Sequence, residues 1–417
     1  MKHSSVMVVG GGIGGITAAC ELAEVGYEVI LVEKAPSLGG RVARMNKYFP
    51  KLCPPWCGLE INYRRIRENK NIRVLTLAQV EKIAGKPGDL DVTVKVEPRY
   101  VVPNRDGYDK AIAACEVETS DDFNLGLSKA KAIRYWHDMA FPRLPYVDRT
   151  AAADPGVKAA IEASGSDGFD LSQKPETMNF KVGAVVWAAG WRPFDPSPIS
   201  YLGYGKYADV IANVQMERLA SVNGPTGGKL VRPSDGRPAK RVAFVQCAGS
   251  RDVNYLPYCS GVCCLASMKQ ATYVREQYPD AETWMFYIDV RSDRYADFLA
   301  KIQADEKIHL VKGKAGQVLQ DPETKDMIVM VEDVAKGEML RLPVDLVVLA
   351  TGVVPATRDE KIPAEAVAYD EYGFVTSDPK ATGVFALGSV RKPADVSTTV
   401  QDATGVAIKV IHTILGR

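Results

Sequence analysis

The stretch SVMVVGGGIGGITAACELAEVGYEVILVE, residues 5–33, decides the fold. Ser5 to Val9 read as a short buried strand. Gly10-Gly11-Gly12-Ile13-Gly14-Gly15 then forms a G-x-G-x-x-G turn, and residues 13–25 carry helical periodicity with Ala18, Leu22 and Ala23 on the packed side. Gly26 ends that helix, and a second strand from Glu28 to Val32 stops at Glu33. This is a complete β-α-β unit of the kind that binds a dinucleotide. Gly10 makes the turn, Gly12 lets the backbone approach a pyrophosphate, and Gly15 permits close helix–strand packing. The helix start supplies amide donors and partial positive charge. Glu33 stands where a carboxylate accepts hydrogen bonds from an adenosine ribose.

Outward from this unit, the 417 residues suggest two or three domains. Lys plus Arg total 52 and Asp plus Glu 51, so no electrostatic case exists for nucleic acid or an anionic membrane surface. No apolar run reaches the ~18 residues needed to span a bilayer. The glycines at 10–15 interrupt the first apolar stretch and no cleavage site follows, so a mature cytoplasmic N-terminus is expected. The cysteines at 20, 53, 57, 115, 247, 259, 263 and 264 are clustered, which favours metal or redox chemistry over structural disulfides.

The residues after Glu33 point to FAD. Lys34 and then Leu38-Gly39-Gly40-Arg41 resemble the loop that runs along the flavin phosphates in flavoproteins with two dinucleotide-binding domains. Thr382 to Gly388 resembles the second FAD motif of that superfamily, although Ser389 replaces its usual Asp. The stretches VVWAAGWRP (185–193, with Ala189 and Gly190) and VVLATGVVP (347–355) match its strand-to-turn motif. Where relatives that use NAD(P)H carry a second G-x-G-x-x-G, this chain has the strand Arg241–Gln246 followed by Cys247-Ala248-Gly249-Ser250-Arg251-Asp252. One glycine is left, so NAD(P)H is not expected as a partner.

In its place stand Cys247, Cys259, Cys263 and Cys264, with a helix expected from about Leu265 to Gln277. Four thiolates are the usual ligand set of a [4Fe–4S] centre. They would also suit zinc, although the spacing is poor for a zinc ribbon, and a redox disulfide or plain buried thiols remain alternatives.

The string C-A-G-S-R-D … Y-C-S-x-V-C-C on this frame resembles the A-type subunits of heterodisulfide reductases, in which such cysteines bind a cluster. ADVSTTVQDATGVA (394–407, with Thr398 and Thr399) and YFPKLCPPWCGLEI (48–61) are similar to segments of the same family, the former on its flavin side. Residues 97–148 resemble its ferredoxin-like insert, but only Cys115 is left there, so a scaffold role is expected. Within that family the chain most resembles the A-type subunits of quinone-interacting membrane-bound oxidoreductase (Qmo) complexes. That resemblance implies electron transfer between a menaquinone pool and adenylylsulfate reductase. It also implies two partners, a quinone-interacting membrane subunit together with a second flavin/iron–sulfur subunit, and through them a cytoplasmic place beside the membrane.

The expected fold is α/β with two Rossmann-like domains, similar to FAD-dependent pyridine nucleotide-disulfide oxidoreductases, plus an insertion. The FAD-binding domain is expected from residues 1–95, 175–215 and 355–417, the degenerate insertion from 96–174, and the second domain from 216–354. Gly388 and Ser389 complete the expected flavin contacts. Cys53 and Cys57, in Cys-Pro-Pro-Trp-Cys, read as a thiol relay to flavin, as ligands to a cluster completed by a partner, or as ordinary packed thiols. Two further functions compete with an electron-transfer role: a self-contained flavin disulfide reductase using Cys53 and Cys57, and a non-catalytic flavin-bearing scaffold.

Overall fold

A computed structural model describes residues 4–49, 52–292 and 295–416. Ser5–Val9, Ile13–Glu24 and Glu28–Glu33 form the expected β-α-β unit. Ser5–Val9 is central in a five-stranded sheet whose other strands are Glu28–Glu33, Ile72–Thr76, Ala184–Trp187 and Val384–Ala386. All four pairings are parallel. Alternate residues of the central strands face opposite cores, as strands buried on both faces require. Val6, Val8, Ala184 and Val186 pack with the helices Ile13–Glu24, Pro55–Glu68 and Val396–Leu415. Met7, Val9, Val185 and Trp187 pack against the antiparallel strands Ala78–Lys86, Asp89–Val96 and Glu176–Val182.

The second half repeats this plan. Val210–Ala212, Leu346–Thr351, Arg241–Ala248, Glu282–Tyr287 and Ile308–Lys312 make a five-stranded parallel sheet in that order. Val242 and Phe244 face one core and Ala243 and Val245 the other. The second core is closed by the antiparallel strands Ala315–Gln320, Met327–Asp333 and Glu338–Val344. Val210–Ala212, just before the boundary expected at 215/216, hydrogen-bonds into this second sheet, and Ile199 and Leu202 pack in its core.

The two strand-to-turn motifs meet where the chain crosses between the sheets. Trp191–Pro193 pairs antiparallel with Val353–Pro355, and the Ala356 N–H donates to the Gly190 carbonyl at 3.0 Å. The insertion has its own small core of Ala111, Cys115, Ile133, Val147, Val157 and Ala160. Its Cys115 is wholly buried there, a packing residue. Among the described residues, no helix is long and apolar enough to cross a membrane.

Candidate cofactor cleft and cysteine group

The glycine turn behaves as its chemistry demands. Gly10 has φ +107°, and a Cβ there would meet the Ala188 carbonyl oxygen at 2.3 Å. A Cβ on Gly15 would lie 1.8 Å from the Gly10 carbonyl oxygen, so strand and helix backbones are in direct contact. Gly12 differs: its Cβ would meet nothing nearer than the Gly40 Cα at 3.9 Å. The space above Gly12 is therefore a cradle at a helix start, open to a phosphate group.

That cradle belongs to a cavity of about 1240 Å³, larger than most small-ligand pockets. Gly10, Gly12, Ile13, Gly14, Glu33, Lys34, Gly40, Arg41, Ala189, Gly190, Ser389 and Thr399 all line it. Gly15, Gly39, Gly388 and Thr398 do not line it and shape it from behind. Gly39, at φ +115°, lies so close to the Tyr63 hydroxyl that a Cβ there would meet it at 2.6 Å, and the Thr398 N–H donates to the Asp395 carboxylate at 2.7 Å. The Gly388 N–H donates to the Asp402 carboxylate at 2.7 Å, and Asp402 also pairs with Arg391 at 2.9 Å. The helix Val396–Leu415 thus brings a carboxylate to the loop whose own Asp is replaced by Ser389.

The cavity's electrostatics suit a pyrophosphate. The Glu33 carboxylate accepts from the Gly11 and Ala35 N–H groups at 2.6 and 2.7 Å, and burial pushes its pKa up. The Arg41 guanidinium donates to the Trp191 carbonyl and lies over the Trp191 ring at 4.6 Å. Burial, and then the neighbouring Arg44, depress its pKa to about 9. Burial likewise lowers Arg44. Among the described residues neither half-buried arginine makes a direct ion pair, although the carboxylates of Asp122, Glu33 and Asp121 act on Arg44 from a distance, and a poorly compensated cation out of water is costly. An anion in the cavity would offset that cost. The open cradle, the carboxylate at the second strand's end and two half-buried guanidinium groups fit FAD.

The insertion is more than the expected scaffold. Trp136, His137, Tyr146, Asp148 and Arg149 wall the same cavity. His137 stacks on Phe123 at 5.0 Å between ring centroids, its Nε2 3.3 Å from the Leu38 carbonyl. Burial pushes its pKa down to about 4, so the ring is neutral.

Sequence reasoning also missed a polar cluster on the opposite wall. Asn213, Glu217, Lys269 and Gln270 line the cavity. Lys269 Nζ sits 2.9 Å from Glu217 Oε1, and both side chains are nearly inaccessible. Glu217 further accepts from Gln270 Nε2 at 2.6 Å, the Tyr273 hydroxyl at 3.1 Å and the Asn46 N–H at 3.0 Å. The signal was a Lys-Gln pair in the middle of a helix with apolar flanks, Met268 and Ala271, both buried.

The cysteines divide into two groups. The helix expected from Leu265 runs Cys263–Gln277, which places Cys263 and Cys264 in its first turn. Cys247, the penultimate residue of the neighbouring strand Arg241–Ala248, has φ +55°, a strained position for a residue with a Cβ. Cys259 is exposed in the intervening loop. The Cys263 thiol, raised by burial, also feels Cys264, Cys247 and Cys259 electrostatically. Burial first, then Cys264, holds Cys247 at about 11. The four lie in one neighbourhood, with Cys263 donating to the Thr351 carbonyl at 3.4 Å and Cys264 to that of Asp289 at 3.9 Å. Among the described residues no group of three or more His, Cys, Asp or Glu side chains closes to metal-holding distance. In chemistry, four thiols suit a thiolate-held cluster. Next to Cys247 in the chain, both ends of the Gln246 amide and the Ser250 hydroxyl are buried without a partner among the described residues.

Cys53 and Cys57 lie elsewhere. Cys53 pairs with Tyr48 in an isolated bridge, Cys57 is exposed in the first turn of Pro55–Glu68, and neither lines the cavity.

The chain is similar to the A-type subunits of heterodisulfide reductases. It is 36% identical over 416 residues to the second A-type iron-sulfur subunit of the CoB–CoM heterodisulfide reductase of Methanopyrus kandleri, covering 97% of this chain and 63% of that one. It is 35% identical to the corresponding subunit of Methanocaldococcus jannaschii, with the same coverage. The chain thus spans under two thirds of the length of these relatives. The NAD(P)-binding Rossmann-like domain family matches residues 8–52. Among solved structures, thioredoxin reductase of Lactococcus lactis aligns with TM-score 0.53 at 13% identity, covering 99% of this chain and 100% of its own. The T. acidophilum thioredoxin reductase gives TM-score 0.51 at 14% identity, covering 100% and 99%. The α/β fold with its paired Rossmann-like sheets is that of these flavin enzymes' fold class.

Proposed function

We propose that the chain is an oxidoreductase subunit that holds FAD in the large cavity and a [4Fe–4S] cluster on Cys247, Cys259, Cys263 and Cys264. The observation that carries this reading is a shared wall. The helix Cys263–Gln277 presents two of the four cysteines in its first turn, and its Leu265, Ala266, Lys269 and Gln270 line the dinucleotide cavity. Thr351, whose carbonyl accepts the Cys263 thiol proton, lines it too. Bound together, FAD would supply two-electron chemistry and the cluster one-electron transfer.

The chain's own residues have definite tasks in this scheme. Gly12 and the helix start receive the pyrophosphate, with Arg41 and Arg44 balancing its charge. Glu33 accepts from the adenosine ribose. Lys269 and Glu217 keep a compensated charge pair on the cavity wall, away from bulk water. Asp402 fixes the Gly388 loop.

The names of the relatives favour work within a larger redox complex, since each describes one subunit of a reductase. At finer grain, the reading is of the A-type member of a quinone-interacting oxidoreductase complex. It would exchange electrons between menaquinone and adenylylsulfate reductase in sulfate reduction, beside the membrane through its partner subunits. No observation favours a disulfide reductase through Cys53 and Cys57, which lie off the cavity.

Iron and acid-labile sulfide per FAD, in anaerobically purified protein, test the proposal. About four irons per FAD is the expected result; iron-free protein whose flavin is reduced by NADPH would overturn it.

A further inference from the structure

Ten buried side-chain polar atoms lack a hydrogen-bond partner among the described residues, and five of them fall between residues 246 and 270. Two are the Nε2 and Oε1 of Gln246, two are the hydroxyls of Ser250 and Ser267, and the fifth is Gln270 Oε1 on the cavity wall. Gln246 and Ser250 are each 3% exposed, so bulk water does not serve them. Leaving such a group unsatisfied is costly, and a concentration of them marks a place where a partner is missing.

Gln246 and Ser250 flank Cys247 in the chain, one residue before it and three after. The pairing of Arg241–Ala248 with Leu346–Thr351 shifts register between Val245 and Ala248, so Gln246 and Cys247 sit together on a bulge. A bulge re-aims the side chains it carries, and Cys247 is held there at φ +55°. Ser250 approaches from the other side. Its Oγ is 2.1 Å from where a Cβ on Gly352 would lie, and Gly352 follows Thr351, the acceptor of the Cys263 thiol. The nearby Ser260 hydroxyl is already engaged by the Val353 N–H at 2.8 Å, whereas Ser250 is not. Ser267 lies one helical turn beyond Cys263.

We infer that Gln246 and Ser250 are donors kept for the sulfur atoms of the cysteine-held cluster, and that they raise its reduction potential. The inference rests on the cluster reading above and names residues beyond its ligands. One-electron reduction adds a negative charge to the cluster and its thiolates. An amide N–H and a hydroxyl within reach of those sulfurs would stabilise the more negative state, as hydrogen bonds to cluster sulfurs generally do. Both are positioning residues, since neither ligates iron.

The test is a mediated electrode titration of the anaerobic holoprotein, followed by the electron paramagnetic resonance signal of the reduced cluster. Gln246→Leu and Ser250→Ala are compared with the parent chain. Each variant should retain the parent's iron and sulfide per FAD. Each should disfavour the reduced cluster by about tenfold, a lowering of about 59 mV for one electron, with the flavin potential unmoved. A full iron complement with an unmoved midpoint in both variants would overturn the inference while leaving the cluster in place. Loss of iron from both would also overturn it, since the residues would then serve assembly and not potential. Iron-free parent protein would sink the cluster reading itself, a distinguishable result.

Discussion

The contrast between Gly12 and Gly15 offers a quantitative test of the cofactor cleft. Both belong to the glycine turn, but the space around them differs. A methyl group on Gly15 would lie 1.8 Å from the Gly10 carbonyl oxygen and 3.0 Å from its carbon. Both contacts are backbone, so strand and helix must separate. Over-packing of this kind costs about 3 kcal/mol or more. Gly12 has φ −78°, which alanine adopts freely, and its nearest neighbour would be 3.9 Å away. As the residue that caps Ile13–Glu24, its change to alanine costs about 1 kcal/mol at most. The added methyl would instead occupy the approach of the pyrophosphate. Losing one hydrogen bond to that charged group is worth about 1.5–3 kcal/mol, or about 10- to 100-fold in affinity. Titrating apoprotein with FAD by flavin fluorescence, alongside thermal melts of the apoprotein, separates the two effects. Gly12→Ala should keep the parent melting temperature within a few degrees and bind FAD about 10- to 100-fold more weakly, whereas Gly15→Ala should melt markedly earlier. Parent-like FAD affinity in Gly12→Ala, or equal destabilisation by both substitutions, would refute the reasoning.

Replacing Cys263 by Ala should abolish iron and sulfide while FAD remains bound, measured by metal analysis and flavin absorbance; retained iron would remove Cys263 from the ligand set. Lys269→Met leaves Glu217 charged and buried without its cation, so the melting temperature should fall by the equivalent of about 3–5 kcal/mol; adding Glu217→Gln should recover part of that loss. His137 supplies a pH test. Its folded pKa is lowered to about 4 from 6.5, so below pH 6.5 the unfolded chain takes a proton that the folded chain refuses. Stability should therefore fall by about 2–3 kcal/mol as pH drops from 6.5 to 4, and the parent-minus-His137→Gln difference in melting temperature should trace that window; a flat difference would contradict a neutral, buried ring.

Much of this protein is written locally. The β-α-β unit was legible because strand, glycine turn, helix and terminal acid are adjacent in the chain and each follows from backbone sterics. Gly39-Gly40-Arg41, the two strand-to-turn motifs and the cysteine string are likewise contiguous, and the structure brings most of them to one cavity. Three features arise only from tertiary contact. The strand Val210–Ala212 joined the second sheet because hydrogen bonding to Leu346–Thr351, 137 residues on, outweighs its nearness to the first domain. Asp402 reached the Gly388 loop from a helix packed beside it, where its carboxylate accepts from the Gly388 N–H, a contact the motif itself does not encode. Glu217 and Lys269 are 52 residues apart and form a pair only where two helices meet at the cavity wall. The sequence by itself determined the chemistry of each segment, because turn, helix and ligand preferences are local. Which segments share a cavity, and which buried polar groups stand without partners, was decided by long-range packing that no single stretch encodes.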